Sequence, residues 1–219
     1  MEAQSPSERA YRGLVRGLYE GRFAPGQRLI APDLMAEFRV GRGTIREVLH
    51  RLTSSGVVSI IPNRGAEVRR LSRREVGEVL DIVELLLGLA ARDAATAMDD
   101  EGNKQELRSR SEALLANGRI EDFSRFIIDR EAYYRCIVRL GGNHELQRLF
   151  PTLQVHIMRA QLRPFDRAAD SVDPGDYSAL TQAMLSGDVK GAEQAARDHV
   201  RLTIARVAAL PDRAFNPEN

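Results

Sequence analysis

Arg42, Gly43, Thr44 and Arg46 stand together near the start of the stretch VGRGTIREVLHRL, Val40 to Leu52. Two arginines, a hydroxyl and a residue without a side chain contribute nothing to an apolar core, but they suit contact with a polyanion. Ile45, Val48, Leu49 and Leu52 recur in the same stretch at helical spacing. The basic group therefore falls on the front turn of a helix whose other side is buried. Backbone N–H groups at such a turn lack helical partners, and with the positive end of the helix dipole they attract phosphate. An arginine there can also grip guanine in the major groove through two parallel hydrogen bonds. Gly43 removes bulk where the helix front must approach another surface. Asn63, Arg64 and Gly65 form a second basic point, at the tip of a predicted hairpin.

The elements that must hold these residues follow from periodicity and punctuation. A helix is expected over about 7–21, with Leu14, Val15 and Leu18 as its apolar stripe and a capping box of Ser5 or Ser7 with Glu8. Pro25-Gly26 marks a turn, QRLI a short strand, and APDLMAEFRV a second helix with Pro32 in its first turn. The basic-fronted helix comes third and is closed by Ser54-Ser55-Gly56. VVSIIPNRGAEVRRL then reads as two strands around a turn at 62–65. Helix, strand, helix, tight turn, helix and hairpin is the layout of a winged helix-turn-helix.

From Ser72, a plausible N-cap, the texture changes to long helical periodicity without strand-like alternation. Helices are expected over about 104–117, 120–140, 144–161, 176–186 and 189–210, broken most clearly at Gly141-Gly142-Asn143 and Ser186-Gly187-Asp188. The fold class is thus mostly α: a winged helix-turn-helix over 1–71 and an all-α bundle over 72–219, with a frayed tail, PDRAFNPEN. In the long helix after Ser72, Leu85, Leu86, Leu87 and Leu89 run almost around the helix, more than one buried stripe requires.

Composition bounds the partners. Residues 1–70 carry 12 arginines against 7 acidic residues, whereas the rest carries 20 basic and 24 acidic residues. A basic front and mildly acidic back place a polyanion at the front alone. No apolar run is long enough to span a membrane, and the N-terminus lacks the layout of a secretory signal. The single cysteine, Cys136, excludes an internal disulfide and fits the cytoplasm.

GLYEGRFAPGQRLIAPDLMAEFRVGRGTIREVLHRLTSSGVV resembles the DNA-binding domain of the GntR family of bacterial transcription regulators. The matching positions include Pro25-Gly26, Leu29, Leu34-Met35-Ala36-Glu37, Val40, Arg42, Arg46, Glu47 and Leu49. Gly41 and Gly43 depart from the family's usual Ser and Thr, removing hydroxyls that would reach phosphate. The back half, through YYRCIVRLGGNHELQRL and DYSALTQAMLSGDVKGAEQAARDHVRL, resembles the FCD-type effector domain of the FadR subfamily. The resemblance implies that Arg42, Thr44 and Arg46 contact double-stranded operator DNA, with Asn63, Arg64 and Gly65 as the wing. It also implies a homodimer and a small-molecule effector.

Many domains of the FCD type hold a divalent metal with one Asp and three His. On this sequence those positions carry Arg130, Tyr134, Tyr177 and His199, so only the last ligand survives. Phenol, with a pKa near 10, is a poor ligand at neutral pH, and Arg130 puts a positive charge where the cation would sit. No metal or other cofactor is expected. Two accounts stand side by side. Either the pocket is degenerate and has filled with tyrosine, or Arg130 supplies the fixed charge for a carboxylate effector, with Tyr134, Tyr177 and His199 as hydrogen-bonding groups. His156 and Arg159 are further candidates for the same cavity. An enzymatic reading of these residues finds no nucleophile–base pair, phosphate loop or cofactor fingerprint to support it. The expectation is a ligand-responsive repressor released by a small organic acid; the alternative is a ligand-independent dimeric DNA-binding protein.

Overall fold

In this computed structural model the described residues are 5–61, 65–116, 123–150, 161–162 and 174–217. Their elements run α1 (Pro6–Glu20), β1 (Arg28–Leu29), α2 (Ala31–Phe38), α3 (Arg42–Ser54), β2 (Val58–Ile61), β3 (Gly65–Val68), α4 (Arg73–Thr96), α5 (Glu101–Ala116), α6 (Phe123–Leu140) and α7 (His144–Leu149). Two more helices follow, α8 (Pro174–Leu185) and α9 (Val189–Ala208). This is the expected class, mostly helical with one small sheet. Two compact units emerge. One gathers the described residues of 1–75, 154–164 and 212–219; the other those of 76–153 and 165–211.

Apolar spacing builds the first unit. Ala10, Leu14 and Leu18 recur every four residues on α1, and Ile45, Val48 and Leu52 at three- and four-residue steps on α3; all six are buried. Gly13 lets Phe38 of α2 lie against α1, since a Cβ there would sit 2.5 Å from the phenylalanine ring. α1 starts as its sequence indicates, with Ser5 accepting from the Glu8 N–H at 3.1 Å. The strands form an antiparallel sheet in the order β1-β3-β2, pairing Leu29 with Ala66 and Val58 with Val68. β3 alternates, with Ala66 and Val68 buried and Gly65 and Glu67 more exposed, the pattern of a sheet with one wet face.

Ser72 caps α4 reciprocally. The Glu75 N–H donates to Ser72 Oγ at 3.1 Å, and the Ser72 N–H donates to Glu75 Oε2 at 2.7 Å. Arg69, just past β3, pairs with the same carboxylate. The tail departs from expectation. It is anchored rather than frayed: residues 212–214 form a 3-10 turn, and Ala214 and Phe215 are buried. The Asn216 N–H donates to the Leu71 carbonyl at 2.9 Å, and Arg73 lies over the Phe215 ring at 4.2 Å. Gln161 is buried there and satisfies three backbone groups, accepting from the Leu71 N–H and donating to the Leu71 and Ala214 carbonyls. An apolar Ala-Phe pair inside a polar nonapeptide was too short a signal to predict this docking.

In the second unit α4 buries Val76, Leu80, Val83, Leu87, Ala90, Ala91 and Ala94. Gly141 ends α6 close against α4, where a Cβ would come within 3.2 Å of the Ala90 carbonyl. Gly142 follows at φ 69°, a left-handed turn that any side chain would strain, and Asn143 caps α7 by accepting from the Leu146 N–H. α7 covers the start of the helix expected over 144–161 and Gln161 at its end is helical, while residues 151–160 lie outside the described residues. Asp188 caps α9 by accepting from the Gly191 N–H at 2.9 Å.

Burial would raise the Glu75 carboxyl, but the Ser72 N–H and the Arg69 charge hold it below its usual value. Its stabilisation is therefore complete above the ordinary value of 4.5 and fades as pH falls through the lowered one. Ser72→Ala should cost about 1 kcal/mol, read as a lower denaturation midpoint. Glu75→Gln should shrink the acid-side fall of that midpoint.

Candidate functional site

The front of α3 is bare. Gly41 is its N-cap in extended backbone and supplies no side-chain cap, and the first turn has no acidic residue. Its amides are thus left for an outside acceptor. α2 reaches this point through a tight turn in which Arg39 adopts φ 52°, the left-handed region, and its N–H closes the α2 terminus on the Met35 carbonyl. That turn sets α3 across α2. Burial of Ile45, Val48 and Leu52 then fixes the rotation of α3 about its own axis.

With the rotation fixed, Arg42, Gly43 and Arg46 are exposed and Thr44 is half-buried. No hydrogen bond or ion pair from the Arg39, Arg42 or Arg46 side chains is found among the described residues. Other arginines nearby are committed. Arg51 pairs with Glu8 at 3.2 Å and lies over the Tyr11 ring at 4.1 Å; Arg22 pairs with Glu20 and Glu37. The hydrogen bond of Arg12, then that of Arg51, holds the Glu8 carboxyl below its usual value against the effect of burial. Glu47, on α3 itself, accepts from Ser7 Oγ at 2.7 Å. The scaffold thus neutralises its structural arginines and leaves those at the front of α3 charged and open. A Cβ built at Gly43 or Gly41 meets nothing within 4 Å, so no neighbour in the chain requires glycine there. Gly65 opens β3 and is exposed; Asn63 and Arg64 lie outside the described residues.

The other candidate group lies in the second unit. Tyr134 on α6, Tyr177 on α8 and His199 on α9 come together and are all buried. Tyr134 Oη and His199 Nε2 are 2.7 Å apart, Tyr134 Oη donates weakly to Tyr177 Oη at 3.5 Å, and the Tyr177 and His199 rings meet edge-on at 4.7 Å. A second polar layer adjoins it that sequence reasoning missed. Tyr133 Oη and Ser111 Oγ both meet Thr181 Oγ1, at 2.8 and 3.0 Å, and Thr181 donates to the Tyr177 carbonyl. Burial pushes the Tyr133 phenol above its usual value. Only the adjacency of Tyr133 to Tyr134 hinted at this layer.

Arg130 lies one turn before Tyr134 on α6. Its guanidinium carbon is 5.0 Å from the Phe126 ring centre, and its Nε is buried without a hydrogen-bond partner among the described residues. Asp129 is buried and turned to Arg125 at 2.8 Å. His156 and Arg159 lie outside the described residues. Among the described residues no group of three His, Cys, Asp or Glu side chains could hold a metal ion.

Residues 6–68 match the family described as bacterial regulatory proteins, gntR family, and residues 78–202 match the FCD domain. The chain belongs to the GntR family of regulators that carry an FCD domain. Similar curated proteins include the transcriptional repressor GlaR of Escherichia coli, 26% identical with 87% of this chain and 90% of that one covered. An uncharacterised transcriptional regulator of an unstable DNA locus in Streptomyces ambofaciens is 28% identical, covering 89% of this chain and 81% of that one. The fold is shared with the solved structure of E. coli McbR/YncC, at TM-score 0.79 and 21% identity, covering 94% of this chain and 98% of that one. These relatives are transcription regulators, not enzymes, and this GntR protein is a helix-turn-helix transcription regulator. Among the described residues no helix is long and apolar enough to cross a membrane.

Three substitutions separate contact from scaffold in this GntR regulator. Gly43→Ala should leave stability unchanged or raise it by under about 1 kcal/mol, while weakening duplex binding roughly tenfold, about 1.4 kcal/mol. Tyr134→Phe should destabilise by about 1–3 kcal/mol by stripping the hydrogen bond from buried His199 Nε2. Tyr177→Phe, losing only a 3.5 Å contact, should cost less. Calorimetry and denaturant titration read all three.

Proposed function

We propose that this protein is a repressor that binds a near-palindromic operator as a homodimer and leaves it when a small carboxylate effector binds the helical domain. The observation that carries the DNA half is the bare front of α3, where Arg42 and Arg46 are exposed beside uncapped amides. Arg42, Gly43, Thr44 and Arg46 lie against the major groove, and Asn63, Arg64 and Gly65 form a wing on the flanking backbone. One such head reads few base pairs, so two copies share the task. The relatives named as repressors, GlaR and a probable D-xylose utilization operon repressor of Paenarthrobacter nicotinovorans, support the sign of the response.

The effector half rests on Arg130, whose buried Nε is a donor awaiting an acceptor, one turn from Tyr134. Leaving a buried donor unmade is costly, and a carboxylate oxygen would satisfy it. Tyr134, Tyr177 and His199 line the same site. The site works without a metal. Arginine and two phenols replace three ligands, and the remaining one, His199, directs Nε2 to Tyr134. The effector acts through unequal affinity for the DNA-bound and free arrangements.

A second reading has a specific observation in its favour. Tyr134, Tyr177 and His199 already bond and pack on one another, as they would in a pocket that has lost its ligand. The protein would then be a ligand-independent dimeric DNA binder.

Binding to duplexes from the protein's own promoter region, titrated with salt, should give a steep negative slope. Arg42→Ala or Arg46→Ala should lower that slope by about one each. A salt-insensitive, sequence-blind interaction would refute the DNA reading. In a thermal-shift series of small organic acids, one should raise the melting midpoint of the wild type and not of Arg130→Ala. Indifference to every acid, with operator binding intact, would favour the second reading.

A further inference from the structure

Six glycines and one arginine adopt the left-handed backbone region among the described residues, and the arginine is Arg39, at φ 52°. A side chain in that region crowds the neighbouring carbonyl, so such helix ends go to glycine and, less often, to asparagine. α1 has the ordinary solution. It ends at Gly21, φ 77°, whose N–H turns back on the Gly17 and Leu18 carbonyls. α2 ends in the same conformation on an arginine.

Closure of α2 does not use that side chain. The Arg39 and Val40 N–H groups both turn onto the Met35 carbonyl, the second at 3.2 Å. These are backbone bonds, and glycine would make them as well. The Arg39 side chain is exposed and has no hydrogen bond or ion pair among the described residues. The acids near it in the sequence are engaged elsewhere, Glu37 with Arg22 and Glu47 with Ser7. The arginine therefore strains the backbone, and no polar contact of its side chain among the described residues offsets this. A residue held in a sparsely populated conformation with no internal reason points to a contact outside the chain.

Its place in the chain says which contact. Arg39 stands two residues before Gly41, the N-cap of α3, so the two Cα atoms lie within about 7.6 Å. The uncapped amides of α3 and the exposed Arg42 and Arg46 follow directly. When the front of α3 enters a major groove, the turn before it stands at the edge of that groove, where the phosphates run.

We propose that Arg39 is a phosphate clamp: its guanidinium holds a DNA backbone phosphate at the edge of the groove that α3 enters, through paired N–H···O bonds. The left-handed turn, closed on Met35, gives the arm a fixed root. Gripping phosphate rather than base, Arg39 adds affinity on any sequence and sets the register in which Arg42 and Arg46 meet the duplex. The assignment rests on the reading of α3 as the DNA-contacting helix and adds to it a residue outside that helix.

Strain and contact predict opposite signs for one substitution in the full-length protein. Arg39→Gly should hold or raise the melting midpoint, by up to about 4 °C. It should also weaken binding roughly fivefold, on duplexes from the protein's own promoter region and on unrelated duplexes alike, and lower the salt slope by about one. Arg39→Asn, which tolerates the left-handed region without a charge, should lose the same slope. Arg39→Lys should keep the slope and lose part of the affinity, as a point charge in place of a fork. Wild-type affinity and slope in Arg39→Gly and Arg39→Asn would overturn the proposal, as would a loss confined to the promoter duplex, which would make Arg39 a base reader. A melting midpoint lowered by several degrees in Arg39→Gly would make the side chain part of the scaffold and overturn the strain argument. Arg42→Ala separates the two levels. If it lowers the slope while Arg39→Gly does not, this assignment alone fails; if neither does, the reading of α3 fails with it.

Discussion

The packing of Ile45, Val48 and Leu52 of α3 into the first unit is the constraint on which the DNA-reading surface depends. A helix with one apolar face has one favourable rotation about its axis, and burying these residues sets it. The opposite side of the front turn then has to face outward, whatever the chemistry of the residues there. Arg42 and Arg46 become a presented pair rather than two surface charges, and Gly43 becomes an opening in the helix profile. A different apolar register on α3 would carry the same arginines toward α1 and the sheet.

Charge commitment sharpens this division. Arg51, Arg22 and Arg69 all have acidic partners within the first unit. Such partly exposed pairs add little stability each, but they cancel charge locally. What remains uncancelled includes Arg39, Arg42 and Arg46 at the front of α3, next to amides that Gly41 does not cap. Phosphate recognition wants this combination of fixed donors and unpaired positive charge.

The buried cluster of the second unit follows a different logic. Away from water, hydrogen bonds between neutral groups gain strength and unmade ones are costly. Tyr134 and His199 satisfy each other at 2.7 Å, and Tyr133, Ser111 and Thr181 form a connected chain behind them. The result is a connected polar core. Arg130 Nε is buried with no acceptor supplied by the described residues. The residue lies one turn before Tyr134 on α6, with its guanidinium over the Phe126 ring.

Local signals determined much of this protein. The order of helices and strands, the Ser5 and Ser72 caps and the bare front of α3 are properties of neighbouring residues, so periodicity and capping chemistry suffice to read them. The convergence of positions 134, 177 and 199 came from a family resemblance, and the structure brings those three residues together. Tertiary structure alone decided the rest. The tail docks because Phe215 finds Arg73 and Asn216 finds the Leu71 carbonyl, partners more than 140 positions away. Tyr133 joins Thr181 across 48 residues. Which of the leucines on α4 are covered and which face out depends on where its neighbours stop. Such contacts have no period and no local composition; they exist only once separate elements have packed, because burial is a property of the surroundings and not of the residue.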